Sequence, residues 1–280
     1  MLAKEFIVAP GVFNGISALL AHRSGFRSLY LSGSGVAGAM GLPDLSVTTL
    51  TEVAEEVRRI TSIVPEPVIV DVDTGFGETF NVTRTVRLME SSGAAAIHME
   101  DQVIPKKCGH LNGKHIVDTQ DMVKKIRAAV ETRKDPDFII IARTDARAVE
   151  GIDGAIERAK EYVDAGADMI FTEALESREE FIRFAKEVDA PLLANMTEFG
   201  KSPLLSVQEL KEIGYSAVIF PLTAFRVALK AMEDAYRELL RSGTQRDYLT
   251  HLMTRKDFYD LIGYDEYEKE DRLLAKYKTK

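Results

Sequence analysis

Three things are scarce in this chain, and each absence narrows what it can be. It has one cysteine, Cys108. A lone thiol builds no internal disulfide framework and fits a reducing compartment. No apolar run approaches the ~20 residues that cross a bilayer, and the opening MLAKEFIVAP is too short in its apolar stretch to read as a signal peptide. The expectation is a cytoplasmic protein with no membrane partner. There is also no basic stripe: 36 Lys and Arg stand against 44 Asp and Glu, a formal charge of -8, so nucleic acid is excluded as a partner. What remains, 280 residues at 45% hydrophobic and 29% charged, suits a large folded core.

Short aliphatic runs alternate with longer stretches of helical periodicity. The runs predict strands at 5–9, 28–32, 67–72, 95–100, 138–143, 168–173, 191–195 and 217–221. Each is almost continuously apolar, as a parallel strand covered on both faces requires. Helices are predicted at 15–25, 49–62, 80–92, 118–132, 151–165, 178–188 and 206–213, with Gly25, Gly93, Gly166 and Gly214 where C-caps belong. Eight such alternations predict an α/β (β/α)8 TIM barrel over 1–241. Beyond the eighth strand, helices are expected at 223–241 and 245–261 and a charged helical tail from Tyr264. One barrel needs only one of these, so 242–280 reads as a C-terminal extension that packs on a neighbouring subunit.

Nearly every predicted strand ends in a reactive side chain: Ser32, Asp71, His98 and Glu100, Arg143, Glu173, Asn195. In a barrel those ends converge on one face. Asp71 and Asp73, two apart, can turn both carboxylates to one ion, and hard oxygen ligands suit Mg²⁺ or Mn²⁺. A DxD by itself also fits an exposed turn, and His98 by itself also fits a core histidine. Between about Gln102 and Val117 runs a long loop carrying Lys106-Lys107-Cys108-Gly109-His110, which reads as a lid. A thiol flanked by lysines and a histidine is expected to have a lowered pKa. Arg143, Arg226 and Arg255 are candidate carboxylate clamps, and Asn195 and Thr197 can add neutral hydrogen bonds. Several arginines near a magnesium site imply a substrate with more than one carboxylate.

YLSGSGVAG (30–38), GLPDLS (41–46), DVDTGFG (71–77), HMEDQ (98–102), KKCGH (106–110), ARTDA (142–146), TEA (172–174), ANMTEFG (194–200) and FPLTAFR (220–226) together resemble the isocitrate lyase/phosphoenolpyruvate mutase superfamily, in its order and over nearly the whole chain. The lid string resembles its lyase branch, and the compact length resembles the members that act on 2-methylisocitrate. Phe171, Ile219 and Pro221 resemble those members' apolar pocket for the extra methyl. The resemblance implies Mg²⁺-dependent cleavage of that di/tricarboxylate class of substrate to pyruvate and succinate, in propionate breakdown. Sister activities on isocitrate, dimethylmalate or oxaloacetate stay open. It implies a site in which Asp71 and Asp73 hold the metal, with Glu100 reaching it through water. Ser32, Gly33, Ser34, Asp44, Gly109, Arg143, Asn195, Met196, Thr197, Arg226 and Arg255 would bind substrate. Cys108 would be the acid, assisted by Lys106 and His110, and Tyr30 or Glu173 the base. The surplus C-terminal helices argue for a helix-exchanging dimer, doubled into a homotetramer.

Overall fold

The computed structural model describes residues 5–275. Eight parallel strands close into a barrel in sequence order, with β1 pairing to β8: β1 (Ile7–Val12), β2 (Leu29–Leu31), β3 (Val68–Asp71), β4 (Ala96–Glu100), β5 (Ile139–Thr144), β6 (Met169–Thr172), β7 (Leu192–Asn195) and β8 (Ala217–Phe220). Around them run α1 (Gly15–Arg23), α2 (Gly33–Ala39), α3 (Leu50–Thr61), α4 (Thr79–Ser91), α5 (Thr119–Thr132), α6 (Arg147–Asp164), α7 (Arg178–Glu187) and α8 (Val207–Ile213), followed by α9 (Thr223–Ser242), α10 (Arg255–Ile262) and α11 (Tyr264–Leu274). Helix starts follow local chemistry. Thr49 and Glu52 cap α3 reciprocally, as Ser206 and Glu209 cap α8, each pair satisfying backbone N–H groups that a helix start leaves orphaned. Gly214 ends α8 at φ 109° and turns the chain into β8.

The strand period of two decides which side chains face the site. Val68, Val70 and Val72 pack outward with Ile97, Met99, Ile140 and Ala142 in the core between sheet and helices. Their alternates Tyr30, Ile69, Ala96, Ile141, Met169, Phe171, Leu193 and Ile219 fill the barrel interior. Carrying that inward register two residues further along each strand reaches Ser32, Asp71, His98, Arg143, Glu173 and Asn195, and two more along β4 reach Glu100. The reactive residues are therefore the top layer of an otherwise apolar barrel interior.

Local departures from the sequence expectations have physical causes. Strand β1 lies at 7–12 rather than 5–9: Ile7 to Pro10 pair with β8, and past Pro10 the pairing passes to β2 through Gly11 and Val12. Helix α2 was not expected, because three of its seven residues are glycine and intrinsic propensity opposes it. Its small residues serve close packing instead, since a Cβ on Gly38 would meet the Phe225 ring at 2.7 Å. The helix expected at 245–261 is broken: a 3-10 turn spans Arg246–His251, and Thr254 starts α10 afresh as its N-cap. Within α6, a single turn from Arg147 is set off by a kink at Gly151 with φ 78°, after which the helix runs on to Asp164.

By spatial proximity the chain divides at Phe225/Arg226, so most of α9 goes with the later helices. In that second unit no described side chain of α9, α10 or α11 is buried. Apolar side chains including Val227, Tyr236, Leu240 and Leu273 are exposed. The last five residues of the expected tail, 276–280, lie outside the described residues, as do residues 1–4 of the N-terminal stretch. No described helix is long and apolar enough to cross a membrane.

Candidate active site

Two carboxylates at the end of β3 begin the site. Asp71 accepts from the Asp73 and Gly33 backbone N–H groups, both at 3.1 Å. Burial alone would push its carboxyl up, but His98, Lys106 and Arg143 hold it down at about 2. Asp73 sits at φ 48°, a strained conformation for a non-glycine residue, and burial pushes it up to about 6 against the pull of Lys106. Positive φ also marks Ala174, directly after Glu173, and Phe199, directly before Gly200, so strain gathers at the strand-end loops around the site.

Lys106 reaches in from the lid, donating to Asp44 and standing 3.1 Å from Asp73. It is 3% exposed, which makes it the buried counter-charge of this acid cluster. Glu100 lies alongside with both carboxylate oxygens lacking a hydrogen-bond partner. Arg143 Nε is 3.2 Å away, within ion-pair distance but without hydrogen-bond geometry. Burial raises Glu100 well above the usual carboxylate range, outweighing Arg143. His98 is fully buried with Nε2 2.8 Å from the Tyr30 hydroxyl. Desolvation lowers its pKa to about 4, so it is neutral. Burial, and then the charge of Asp71, push the Tyr30 phenol well up.

Arg143 is gripped side-on by Asp145, through Nε at 2.9 Å and Nη2 at 3.2 Å, and stacks over Phe171 at 5.1 Å from the ring centre. Two of its five N–H groups are thus committed before any ligand arrives. Glu173 accepts from Asn195 Nδ2 at 3.2 Å and stands 3.6 Å from Arg143. The Asn195 carbonyl oxygen, buried, has no partner.

The lid lies over these groups. An antiparallel bridge between Gln102 and Ile116 closes its neck, and the Gln102 side chain holds both the N–H and the carbonyl of Lys107. Gly109 presses on Glu173 so closely that a Cβ there would overlap the carboxylate. His110 accepts from the Lys201 N–H at Nδ1 (2.9 Å), which assigns the ring proton to Nε2, 3.3 Å from Glu173. A Cβ on Gly200 would meet the His110 ring at 2.7 Å. These two glycines are what allow the lid to seat.

One expectation is overturned here. The Cys108 thiol is half-buried and its pKa is raised, because burial outweighs the pull of the His110 N–H, with Glu173 adding to the rise and Arg143 opposing it. The flanking lysines do not serve it: Lys106 turns to Asp44 and Asp73, and Lys107 reaches the Gly113 carbonyl at 3.0 Å. A thiol kept protonated is poor as a nucleophile and well suited to give up a proton.

Other expected residues have local duties. Ser32 caps α2, its hydroxyl accepting from Gly35 N–H at 3.3 Å, and Ser34 lies in the first turn of α2. Met196 is buried and its sulfur accepts from Leu205 N–H, a packing contact. Thr197 is buried beyond β7. Phe171 and Ile219 are fully buried in the interior layer, so Phe171 is the floor beneath Arg143. Arg226, in the first turns of α9, and Arg255, first residue of α10, belong to the second unit. Sequence reasoning missed Asp101, Asp145 and Lys114. The first two sit inside quoted motifs, HMEDQ and ARTDA, but their neighbours drew the attention.

A metal at Asp71 and Asp73 fits the donor set. Buried acids, one with both oxygens unpartnered, leave negative charge and lone pairs unmatched. Among the described residues no three His, Cys, Asp or Glu side chains form a ready shell. Mg²⁺ commonly takes one or two carboxylates and completes its shell with water and substrate.

The family model described as phosphoenolpyruvate phosphomutase matches residues 2–240. The chain is 59% identical to 2-methylisocitrate lyase of Aeropyrum pernix, across 98% of this chain and 88% of that one. It is 48% identical to 2-methylisocitrate lyase of Salmonella typhimurium, across 100% and 95%. Among solved structures, 2,3-dimethylmalate lyase superposes with TM-score 0.91 at 41% identity, covering 96% of this chain and 91% of that one. Oxaloacetate acetylhydrolase bound to 3,3-difluorooxalacetate superposes with TM-score 0.91 at 35% identity, covering 98% and 94%.

Proposed function

Since the chain belongs to the phosphoenolpyruvate phosphomutase family, we propose that it is a Mg²⁺-dependent carbon–carbon lyase that cleaves 2-methylisocitrate to pyruvate and succinate. What supports the chemistry is the lid lying over the strand ends, which brings a half-buried Cys108 thiol within range of the Glu173 and Arg143 charges, with Asn195 and His110 beside Glu173. Kinship to curated 2-methylisocitrate lyases at 48–59% identity supports the substrate.

Asp71 and Asp73 would hold the ion, with Glu100 in reach through water and Mn²⁺ as an alternative. Bound there, the metal supplies Lewis-acid polarisation of the hydroxy-acid end. The substrate's tertiary hydroxyl loses its proton to Glu173, or to Tyr30 as that phenol passes its own proton to His98 Nε2, 2.8 Å away. The oxygen's electron pair forms the pyruvate carbonyl as the adjacent C–C bond breaks, leaving that bond's electrons on the succinate fragment as an enediolate. Arg143, the Nε2–H of His110 and Asn195 supply positive charge and donors to that fragment. The Cys108 S–H then protonates its carbon. The covering lid excludes water, so the carbanion is not quenched elsewhere. Tyr30→Phe and Glu173→Gln separate the two candidate bases.

The setting proposed is cytoplasmic propionate catabolism through the methylcitrate cycle. The assembly proposed is a homotetramer built from helix-swapped dimers. The exposed apolar side chains of α9 to α11 support an assembled state, and Arg226 and Arg255 would complete sites within it. The decisive experiment compares kcat/KM for 2-methylisocitrate, isocitrate, 2,3-dimethylmalate and oxaloacetate with magnesium and after EDTA. Preference for 2-methylisocitrate that EDTA removes supports the reading. Preference for dimethylmalate or oxaloacetate refutes the substrate, and undiminished turnover in EDTA refutes the metal.

A further inference from the structure

Lys114 is 6% exposed, and no step above uses it. It lies five residues beyond Gly109, on the returning arm of the lid. Its ammonium donates to the Gly109 carbonyl and, at 2.9 Å, to Asp145 Oδ1. Asp145 is fully buried and is the same carboxylate that grips Arg143 from the side. Asp145 is itself immobilised, because its N–H donates to Asp101 Oδ1 at 2.8 Å. The other Asp101 oxygen accepts from Thr144 and Tyr162, each at 2.9 Å. The chain of contacts thus runs from the Gly109 carbonyl, one residue past Cys108, through Lys114 to Asp145 and on to Arg143.

We propose that Lys114 is a positioning residue, a latch that holds the lid closed over the site and ties the seat of Cys108 to the orientation of Arg143. A buried ammonium needs acceptors. With the lid down it has two, one from the lid itself and one from the barrel. Lifting the lid tip carries the Gly109 carbonyl away and leaves Lys114 to water or to Asp145 alone, so closure and the contact form together. Lys106 and His110 also tie the lid to the site, through Asp44, Asp73 and Glu173, but neither touches the carboxylate that grips Arg143. Lys107 bonds only within the lid, and Asn112 meets the half-exposed Lys201 at 2.8 Å. Asp145 also carries the opposite charge to both Arg143 and Lys114, so removing Lys114 leaves the Arg143–Asp145 pair intact but unlinked from the lid.

The kinetic part of this inference rests on the lyase reading, whereas the latch itself can be read without substrate. Cys108 is the only thiol, so the difference in its alkylation by iodoacetamide between full-length variants reports how readily the lid opens beyond the partial exposure the thiol already has. Lys114→Met keeps the length and apolar stem of the side chain. Its alkylation is expected to quicken about tenfold to a hundredfold, the range expected when a charge-assisted hydrogen bond is lost, with the melting temperature held. On 2-methylisocitrate its kcat falls by a similar factor while KM stays within about threefold, the split expected for a misplaced acid. Alkylation of a folded Lys114→Met at the wild-type rate overturns the latch. Faster alkylation with unchanged kcat overturns its link to chemistry. If Lys114→Met does not fold, Lys114→Gln, whose polar end can be hydrated, is read against the same rates. A wild-type protein that does not turn over 2-methylisocitrate refutes the lyase reading, and the alkylation rates still decide the latch.

Discussion

Substituting Gly109 by alanine tests whether the lid acts only when fully seated. The added Cβ would lie inside the van der Waals envelope of Glu173, well under 3.0 Å from its carboxylate. Restoring ordinary contact requires the lid tip to retreat by roughly 1 Å, or Glu173 to leave Asn195 and Arg143. A displacement of that size at a reacting group costs about 10²-fold in rate, so kcat should fall to about a hundredth of wild type. Gly109 is itself buried, and overpacking at a buried position typically costs about 1–3 kcal/mol of stability. Steady-state kinetics beside a thermal melt separate the two effects. Asn112→Ala, which removes one exposed lid contact to Lys201, is the control and should stay near wild type. A Gly109→Ala enzyme with undiminished kcat would show that the Gly109–Glu173 approach is not part of the working state, and the account of the seated lid would be wrong.

Cys108→Ser should lose about 10²- to 10⁴-fold in kcat, the usual worth of a positioned acid, while still binding pyruvate with magnesium by calorimetry; retained turnover removes Cys108 from the mechanism. Because burial raises the Cys108 pKa, less thiolate is present at neutral pH than in a free thiol. Alkylation near pH 7 should therefore lag behind glutathione, and it should climb with pH to beyond the range in which glutathione levels off. A rate above glutathione's at pH 7 would restore the lowered pKa expected from the flanking lysines. Ser206→Ala removes the hydroxyl half of the α8 cap and leaves the backbone N–H of residue 206 on Glu209; it should cost about 1 kcal/mol, a fall of about 2–4 °C in Tm, without change in kcat. An unchanged melt would mean that Glu209 or solvent satisfies the helix start unaided.

The barrel and most of its site were legible in the residues because their signals are local. A strand covered on both faces must be apolar, so each of the eight runs stood out. The period of two then assigns alternate residues inward whatever the rest of the fold does. That is why Asp71, Glu100, Arg143, Glu173 and Asn195 could be named as one layer before any coordinates. The C-terminal helices were legible as surplus for the same reason, though not the break at Thr254, where one cap outweighs continuous helical character.

Only the tertiary structure decided the rest, because proximity and desolvation are not properties of neighbours in sequence. Lys106 and Lys107 flank Cys108 along the chain, yet one ammonium is drawn to Asp44 and Asp73 and the other to the lid backbone. Burial, which depends on what the lid closes upon, then raises the thiol pKa instead of lowering it. Helix α2 forms against its own propensity because Gly33 and Gly38 pack where no larger residue fits. The Met196 sulfur accepts from the Leu205 N–H, a contact that its place after Asn195 does not announce. Lys114 looked like one more charge on a polar loop until the lid folded back and set it between the Gly109 carbonyl and Asp145. The sequence determined which side chains line the barrel mouth, and the folded chain alone determined which of them touch and in what charge state.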